Sequence, residues 1–448
     1  MLLPHVLAEA KAPRYTSYPT APHFSAAISH DIYAHWLLAL PRAAELSLYI
    51  HVPFCRELCL YCGCYTKAVQ RPEPVRLYAQ WLLREIALVA DFAGRRRVTR
   101  IHWGGGTPSI LGRDLLMAVY AEIAAAFDLS DVREHAIELD PRAVDRPTVE
   151  ALRQIGIGRA SLGVQDISPH VQRAIGRIQP PEQVKEAIGL LRAAGIDQIN
   201  FDLMYGLPKQ TLQDIWRNIE FTARLRPQRL ALFGYAHVPW LRPHQRLIDA
   251  DSLPGAAERL DQAEAARTML MALGYQPVGL DHFALPDDEL ARAARVGTLR
   301  RNFQGYTTDD CDALIGLGAS AIGRLPQGYA QNAHDFHAYS RALVAGLFAT
   351  EKGAALTPDD RVRAEAIERL MCDLAADLDR IDCTRAPALR DEFERRLASL
   401  IGPGAADLVE LAGNRIEITE RGRPFVRLIA SALDSYLEES PARHSVAV

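Results

Sequence analysis

Between Leu46 and Phe233 the chain alternates short runs of β-branched and aromatic residues with longer stretches whose apolar positions recur every three to four residues. The short runs predict strands at Leu46–Val52, Val98–Trp103, His135–Leu139, Arg159–Gly163, Gln198–Leu203 and Arg229–Phe233. The longer ones predict helices at Pro74–Asp91, Leu115–Phe127, Pro147–Ile155, Pro181–Ala194 and Leu212–Leu225. Six strand–helix repeats imply parallel strands joined by right-handed crossovers, hence a partial barrel or an open α/β sheet. Unusual residues cluster just after the strands, and strand-end loops are where barrels build their sites. The expectation is therefore an α/β fold, a partial (β/α)6 barrel.

The flanks read differently. Residues 1–40 are expected to form an irregular N-terminal arm, punctuated by Pro13, Pro19 and Pro22. Such arms are usually solvated, but three aromatics and Arg14 in PRYTSYPTAPHF suggest one packed over something. A helix is predicted at Pro254–Leu273, followed by the polar, aromatic stretches GLDHFALPDDELARA and RRNFQGYTTDDCDALIGLGASAIG. These complete a barrel domain with its extension over residues 41–350. The remainder, 351–448, is helix-rich and ends in a short strand, a turn and an amphipathic helix, the order of a small winged-helix-like domain.

Composition narrows the function classes. Forty-nine per cent apolar and 24% charged residues are ordinary for a globular enzyme. A net charge of −4 gives no reason to expect nucleic acid or an anionic membrane as partner. The opening residues lack a basic region followed by an apolar core of signal-peptide length, and no apolar run is long enough to span a bilayer. Seven cysteines, three of them packed into one loop, argue against a disulfide framework and fit a reducing cytoplasm. Cys311, Cys372 and Cys383 are expected to be small core residues.

The chemistry gathers behind the first predicted strand. In YIHVPFCRELCLYCGCYTK, Cys55, Cys59 and Cys62 form a C-x3-C-x2-C run with Cys64 directly behind. A 4Fe–4S cluster normally takes four thiolates; three leave one iron free to bind a ligand. The alternative is a zinc knot of these cysteines with Cys64 or His51. It fits poorly, because Cys62 and Cys64 are too close and no second Cys/His pair follows at finger distance. Gly104, Gly105 and Gly106 close the second strand and would let the backbone approach a ligand. No Gly-Lys-Ser/Thr follows, which excludes a P-loop. Glu138 or Asp140 should point inward at the end of the third strand. Gln165 and Asp202 end the fourth and fifth, and Arg177 offers a fork suited to a carboxylate.

The cysteine spacing resembles that of radical S-adenosylmethionine (SAM) enzymes. The resemblance widens when PRYTSYPT, IHWGGGTPS, IELDPR, LGVQD, FDLMYGLPKQT, YAHVPW, DHFALPDDELA, RNFQGYTT and YAQN are read in order. Together they are similar to the oxygen-independent coproporphyrinogen III oxidases (dehydrogenases) of haem biosynthesis, over nearly the whole chain. The resemblance implies a 4Fe–4S cluster on Cys55, Cys59 and Cys62, with Cys64 not a ligand. It implies a SAM on the cluster, met by Tyr49, Gly105, Glu138 and Ile322. A second SAM would meet Tyr61, where the family often has phenylalanine, and Gly106, Thr107, Gln165, Arg177, Asp202 and Ala236. Phe303 and Gln304 are further candidates nearby. The implied reaction is oxidative decarboxylation of two propionates of coproporphyrinogen III to vinyl groups by a 5′-deoxyadenosyl radical, giving protoporphyrinogen IX. A low-potential electron donor such as flavodoxin or ferredoxin, a cytoplasmic location and a monomeric state go with it. A tetra-anionic substrate needs cationic anchors, for which Arg14, His282 and Arg301 stand out. The competing readings are a haem-binding or haem-transfer protein on the same scaffold, and a different radical reaction on a tetrapyrrole.

Overall fold

In the computed structural model, which describes residues 4–437 and Val446, all six expected strands form. They are β1 (Glu45–Val52), β2 (Arg97–Gly105), β3 (Glu134–Leu139), β4 (Arg159–Gln165), β5 (Gln198–Tyr205) and β6 (Arg229–Gly234). Each pairs in parallel with the next in chain order. The helices Glu73–Ala93, Gly112–Ala126, Arg146–Gln154, Pro181–Ala193 and Leu212–Leu225 return the chain between them.

Alternation along the strands decides which side chains reach the lumen. Leu48, Ile50 and Val52 of β1, Ile101 and Trp103 of β2, and Ile137 and Leu139 of β3 are buried in the large apolar core. The intervening positions are polar or glycine. Near the N-terminal end of the strands Arg159 pairs with Glu134 at 3.1 Å and Arg229 with Asp288 at 2.7 Å. At the other end stand Gly104, Glu138, Gly163 and Asp202. The site is therefore assembled from the lumen face of a sheet whose opposite face is hydrophobic.

The sheet is larger than the six-strand pattern. Among the described residues it has twelve strands. Ala313–Leu317 pairs in parallel with β1, and three antiparallel strands to Thr350–Ala355 follow it. On the other side His282–Ala284 runs antiparallel to β6, and Gln276–Val278 pairs with it to form the far edge. These additions are short, and none carries an alternation long enough to announce it.

The N-terminal residues are not irregular throughout. His30–Leu38 is a helix whose N-cap Ser29 accepts from the Ile32 amide, and its Tyr33, Trp36 and Leu37 are buried in the barrel core. Earlier in the chain, Leu7, Ala8, Tyr15 and Tyr18 join the core of the C-terminal region instead. That region has helices Pro358–Asp373, Leu378–Asp382 and Ala386–Ile401 and a three-stranded sheet, in winged-helix order. Its last helix corrects the amphipathic expectation. Val426–Ala430 is little more than one turn, and every residue in it is buried, Arg427 included.

Candidate functional site

The cysteine loop leaves the C-terminal end of β1 and is tied down at several backbone points. Lys67 N donates to Pro53 O and Val69 N to Cys55 O, both at 2.9 Å, closing the loop's base. Leu60 N donates to Ile175 O, also at 2.9 Å. From the segment after β6, Arg242 Nε donates to Gly63 O at 2.8 Å and Gln245 Nε2 to Tyr61 O at 2.9 Å. His244 Nε2 lies 2.8 Å from Cys62 O. Residues far away in the chain thus hold a loop that has little regular structure of its own.

The three thiols sit among hydrogen-bond donors. Cys55 Sγ lies 3.4 Å from the hydroxyls of both Thr107 and Thr66. Cys59 Sγ receives Arg177 Nη1 at 3.4 Å. Burial pushes the Cys55 thiol up, against the opposing effect of the two threonines. The Cys62 thiol is drawn down to about 7, chiefly by its neighbour Cys64 and against burial, so its thiolate is accessible near neutral pH. Cys64 itself is exposed, with its thiol beside that of Cys62. Of the remaining cysteines, Cys311 and Cys372 are buried as expected, but Cys383 is exposed. It stands just past the short helix Leu378–Asp382, where no core covers it.

Beside the thiols lies a backbone cradle. A methyl group on Gly104 would stand 2.8 Å from Glu138 Oε1, and one on Gly105 would stand 2.6 Å from the His51 ring. A third, on Gly106, would meet the Phe54 carbonyl at 2.5 Å. Glu138 accepts from the Gly105 amide at 3.1 Å and contacts His102 Nε2 at 3.2 Å. Burial alone would raise its pKa, but His102 and the amide hold the carboxyl below its usual range. Tyr49 stands in register with Gly316 on one side and His102 on the other. Its hydroxyl is 3.0 Å from His51 Nδ1. Ile322 backs onto Gly316, whose added Cβ would meet the Ile322 backbone at 2.7 Å. Tyr49, Gly105, Glu138 and Ile322 are thereby brought to one side of the strand ends.

Gln165, Arg177 and Asp202 occupy the next sector. The register of β4 and β5 shifts between Gly163 and Gln165, and Gln165 has a left-handed φ of 63°. Asp202 accepts from Ser161 Oγ at 2.9 Å and Asn200 Nδ2 at 3.0 Å, and burial lifts its pKa to about 6. The Arg177 fork is already engaged: it grips Asp140 at 3.2 and 3.1 Å and donates to Gly163 O at 2.7 Å. Only its Nε is buried without a partner. Tyr61 packs with Leu60 against the small cluster of Val171, Ile175, Leu207, Tyr235 and Ile248. The Ala236 carbonyl accepts from Gln245 at 3.3 Å, which links it to the Tyr61 backbone through one side chain.

Several participants escaped sequence reasoning. Both Glu138 and Asp140 face the site, not one of the two, because residues two apart on an extended strand share a face; Asp140 orients Arg177 and Arg142 beside Cys59. His51 and His102 were legible in principle, as polar residues at alternate positions in otherwise apolar strands. Residues 242–245 gave no signal, because their contacts are to loop backbone far away in the chain. Phe303 packs edge-on against Phe24 and Tyr329, and Gln304 sits in the hairpin between Arg300–Asn302 and Gly305–Thr307.

The donor set suits an iron–sulfur cluster with SAM. Among the described residues no three His, Cys, Asp or Glu side chains converge as a single metal ion would need. Cys55 and Cys59 instead meet hydroxyl and guanidinium donors, with Cys62 in the same loop, next to a cradle that any Cβ would fill. Fold and site define a radical SAM enzyme, and residues 49–222 match the radical SAM superfamily. A 4Fe–4S cluster and SAM are the cofactors of that class. The match to relatives extends much further. An oxygen-independent coproporphyrinogen III oxidase from Bradyrhizobium diazoefficiens is 49% identical, over 98% of both chains. One from Paracoccus denitrificans is 42% identical over 99% of this chain and 98% of its own. The solved structure of the Escherichia coli coproporphyrinogen III oxidase, a radical SAM enzyme, superposes with a TM-score of 0.88 at 37% identity, covering 95% of this chain and 98% of that one. The chain belongs to the oxygen-independent coproporphyrinogen III oxidase family.

Proposed function

We propose that this chain oxidatively decarboxylates two propionate side chains of coproporphyrinogen III to vinyl groups without oxygen, giving protoporphyrinogen IX. The observation that carries the reading is the thiol triplet at the end of β1, facing the Glu138–Gly105 cradle, in a chain alike to these oxidases from end to end. Cys55, Cys59 and Cys62 would hold the cluster, and Tyr49, Gly105, Glu138 and Ile322 the SAM on it. Tyr61, Gly106, Thr107, Gln165, Arg177, Asp202 and Ala236 would line the place of a second SAM.

Bound together, cluster and SAM supply a 5′-deoxyadenosyl radical, which can take a hydrogen atom from an unactivated propionate β-carbon where acid–base chemistry cannot. The residues around them bind and tune. Glu138, kept ionised, offers an acceptor to an ammonium group, and the glycine triplet lets a ligand reach the backbone. With the cluster bound, the donors from Thr66, Thr107 and Arg177 would spread charge away from the sulfurs of Cys55 and Cys59 and favour its reduced form. The Tyr49 ring, lying 5.9 Å from that of His102 and nearly parallel to it, closes one wall.

A flavodoxin or ferredoxin as electron donor, a monomeric state and a cytoplasmic location complete the proposal. No helix among the described residues is long and apolar enough to cross a membrane. Sedimentation of the reconstituted protein at micromolar concentration checks the monomer: a single species of 49.6 kDa is expected. The decisive experiment is anaerobic turnover of reconstituted protein with reductant, SAM and coproporphyrinogen III. Protoporphyrin and 5′-deoxyadenosine should appear together. Deoxyadenosine without protoporphyrin would retain the radical chemistry and refute the substrate.

A further inference from the structure

A cavity of about 590 Å³ opens beyond the C-terminal ends of β5 and β6. That is the volume class of small-molecule sites. Its walls come from three parts of the chain. Arg14 belongs to the N-terminal arm; Tyr205, Gly234, Arg259 and Arg301 to the barrel and its extension; Arg427 to the C-terminal region. It shares its rim with the proposed SAM sector, since Tyr205 follows Asp202 on β5 and Gly234 precedes Ala236.

The lining is cationic. Seven arginines face five carboxylates, and two of those carboxylates, Glu264 and Glu420, already pair with Arg267. Near Arg14 and Arg301 stands Asp281, which is itself held by His282 at 2.8 Å, while a charged neighbour of Arg259 is Arg14. Several of the guanidiniums are fixed by backbone carbonyls. Arg14 Nη2 donates to Gly234 O at 3.3 Å. Arg301 donates through Nε to Tyr15 O and through Nη2 to Arg14 O, both at 3.3 Å, and lies 4.4 Å above the Tyr306 ring. Its Nη1 is buried with no hydrogen-bond partner. Arg427 holds the arm's backbone through the carbonyls of Ala12 and Pro13. Burial and the neighbouring guanidiniums depress Arg427, to about 9.

Like charges gathered in a cavity destabilise the protein unless an anion joins them. Resting on the substrate assigned above, we propose that Arg14, Arg259 and Arg301 anchor the propionate carboxylates that are not being oxidised, with Arg427 positioning the arm that carries Arg14. The propionate to be oxidised would then extend from the cavity toward the cysteine loop. His282, an anchor candidate on sequence grounds, is instead occupied in fixing Asp281.

The test is equilibrium binding of coproporphyrin III, the fluorescent oxidised form of the substrate, alongside steady-state kinetics. Arg14→Gln, Arg259→Gln and Arg301→Gln should each weaken coproporphyrin binding and raise KM for coproporphyrinogen III by about tenfold or more. The cluster's absorbance and the KM for SAM should stay put, and Arg301→Lys should recover part of the loss. Where Arg259→Gln or Arg301→Gln melts early, Arg14→Gln decides the matter, because that side chain gives up one long hydrogen bond, at 3.3 Å, to the Gly234 carbonyl. Unchanged porphyrin affinity in variants that melt like the parent would overturn the anchor. The two readings fail separately. Parent protein that binds coproporphyrin III but yields no vinyl product sinks the activity and leaves the anchor; parent protein that turns over while the variants keep its KM sinks the anchor alone.

Discussion

Gly105 has a backbone φ of 110°, and a methyl group there would stand 2.6 Å from His51 Cε1. Its amide is also a donor that keeps Glu138 ionised. Gly105→Ala should therefore cost about 1–3 kcal/mol of stability in urea unfolding, from the strained backbone alone. It should also lower SAM affinity while the cysteines still take up iron. At the thiols the expectation divides cleanly. Serine at Cys55, Cys59 or Cys62 should leave protein without the brown 4Fe–4S absorbance after reconstitution, with SAM cleavage at background. Cys64→Ser should keep the full absorbance and most of the activity. A colourless Cys64→Ser protein would make it a ligand and revise the site. Individual residues of this kind were the most legible part of the chain, because spacing and residue type alone state their chemistry.

At the scale of elements, the helix Glu73–Ala93 is joined to the sheet by one buried carboxyl. Glu85 accepts from Gly318 N and Tyr339 Oη, both at 2.6 Å, and from Asn332. Burial raises its pKa from 4.5 to about 7 despite these donors. Below pH 4.5 the group is neutral both folded and unfolded and contributes nothing. Between 4.5 and 7 the folded state keeps a proton that the unfolded state has released, so stability falls as pH rises. Above pH 7 the full penalty applies, about 3 kcal/mol. Urea midpoints of Glu85→Gln and the parent, compared at pH 5 and pH 8, should show this slope in the parent and not in the variant. Any constant cost of the amide drops out of that comparison. The six parallel strands and their helices were predictable because each carries its own period. Ala313–Leu317 was not, although it extends the sheet beside β1, because its five buried residues show no alternation.

The whole molecule depends on contacts between chain ends and barrel. Tyr15 Oη donates to buried Asp434 at 3.0 Å, across 419 residues of sequence. Tyr15→Phe removes that donor and should cost about 1–3 kcal/mol in thermal or chemical unfolding. Through the adjoining Arg14 it should also raise the substrate KM. Loss of the cluster should matter less to the fold. The loop is held by backbone contacts at both ends, and the apolar core lies on the other face of the sheet. Chelation of iron should therefore leave the far-UV circular dichroism nearly unchanged and lower Tm by only a few degrees, unlike small domains that unfold without their metal. A cooperative loss of helix on chelation would show that the cluster is structural as well.

By itself, the sequence determined the parallel α/β plan, the thiol triplet, the glycine cradle and the family, because these depend on local period, residue type and spacing. Only the tertiary structure decided how they act together. It engaged the Arg177 fork with Asp140 and placed residues 242–245 over the cysteine loop. It also brought Arg14 and Arg301 to one cavity from positions 287 residues apart. The reason is physical. A side chain's face follows from local alternation, but its partner follows from which distant backbone the packed core brings within hydrogen-bonding reach.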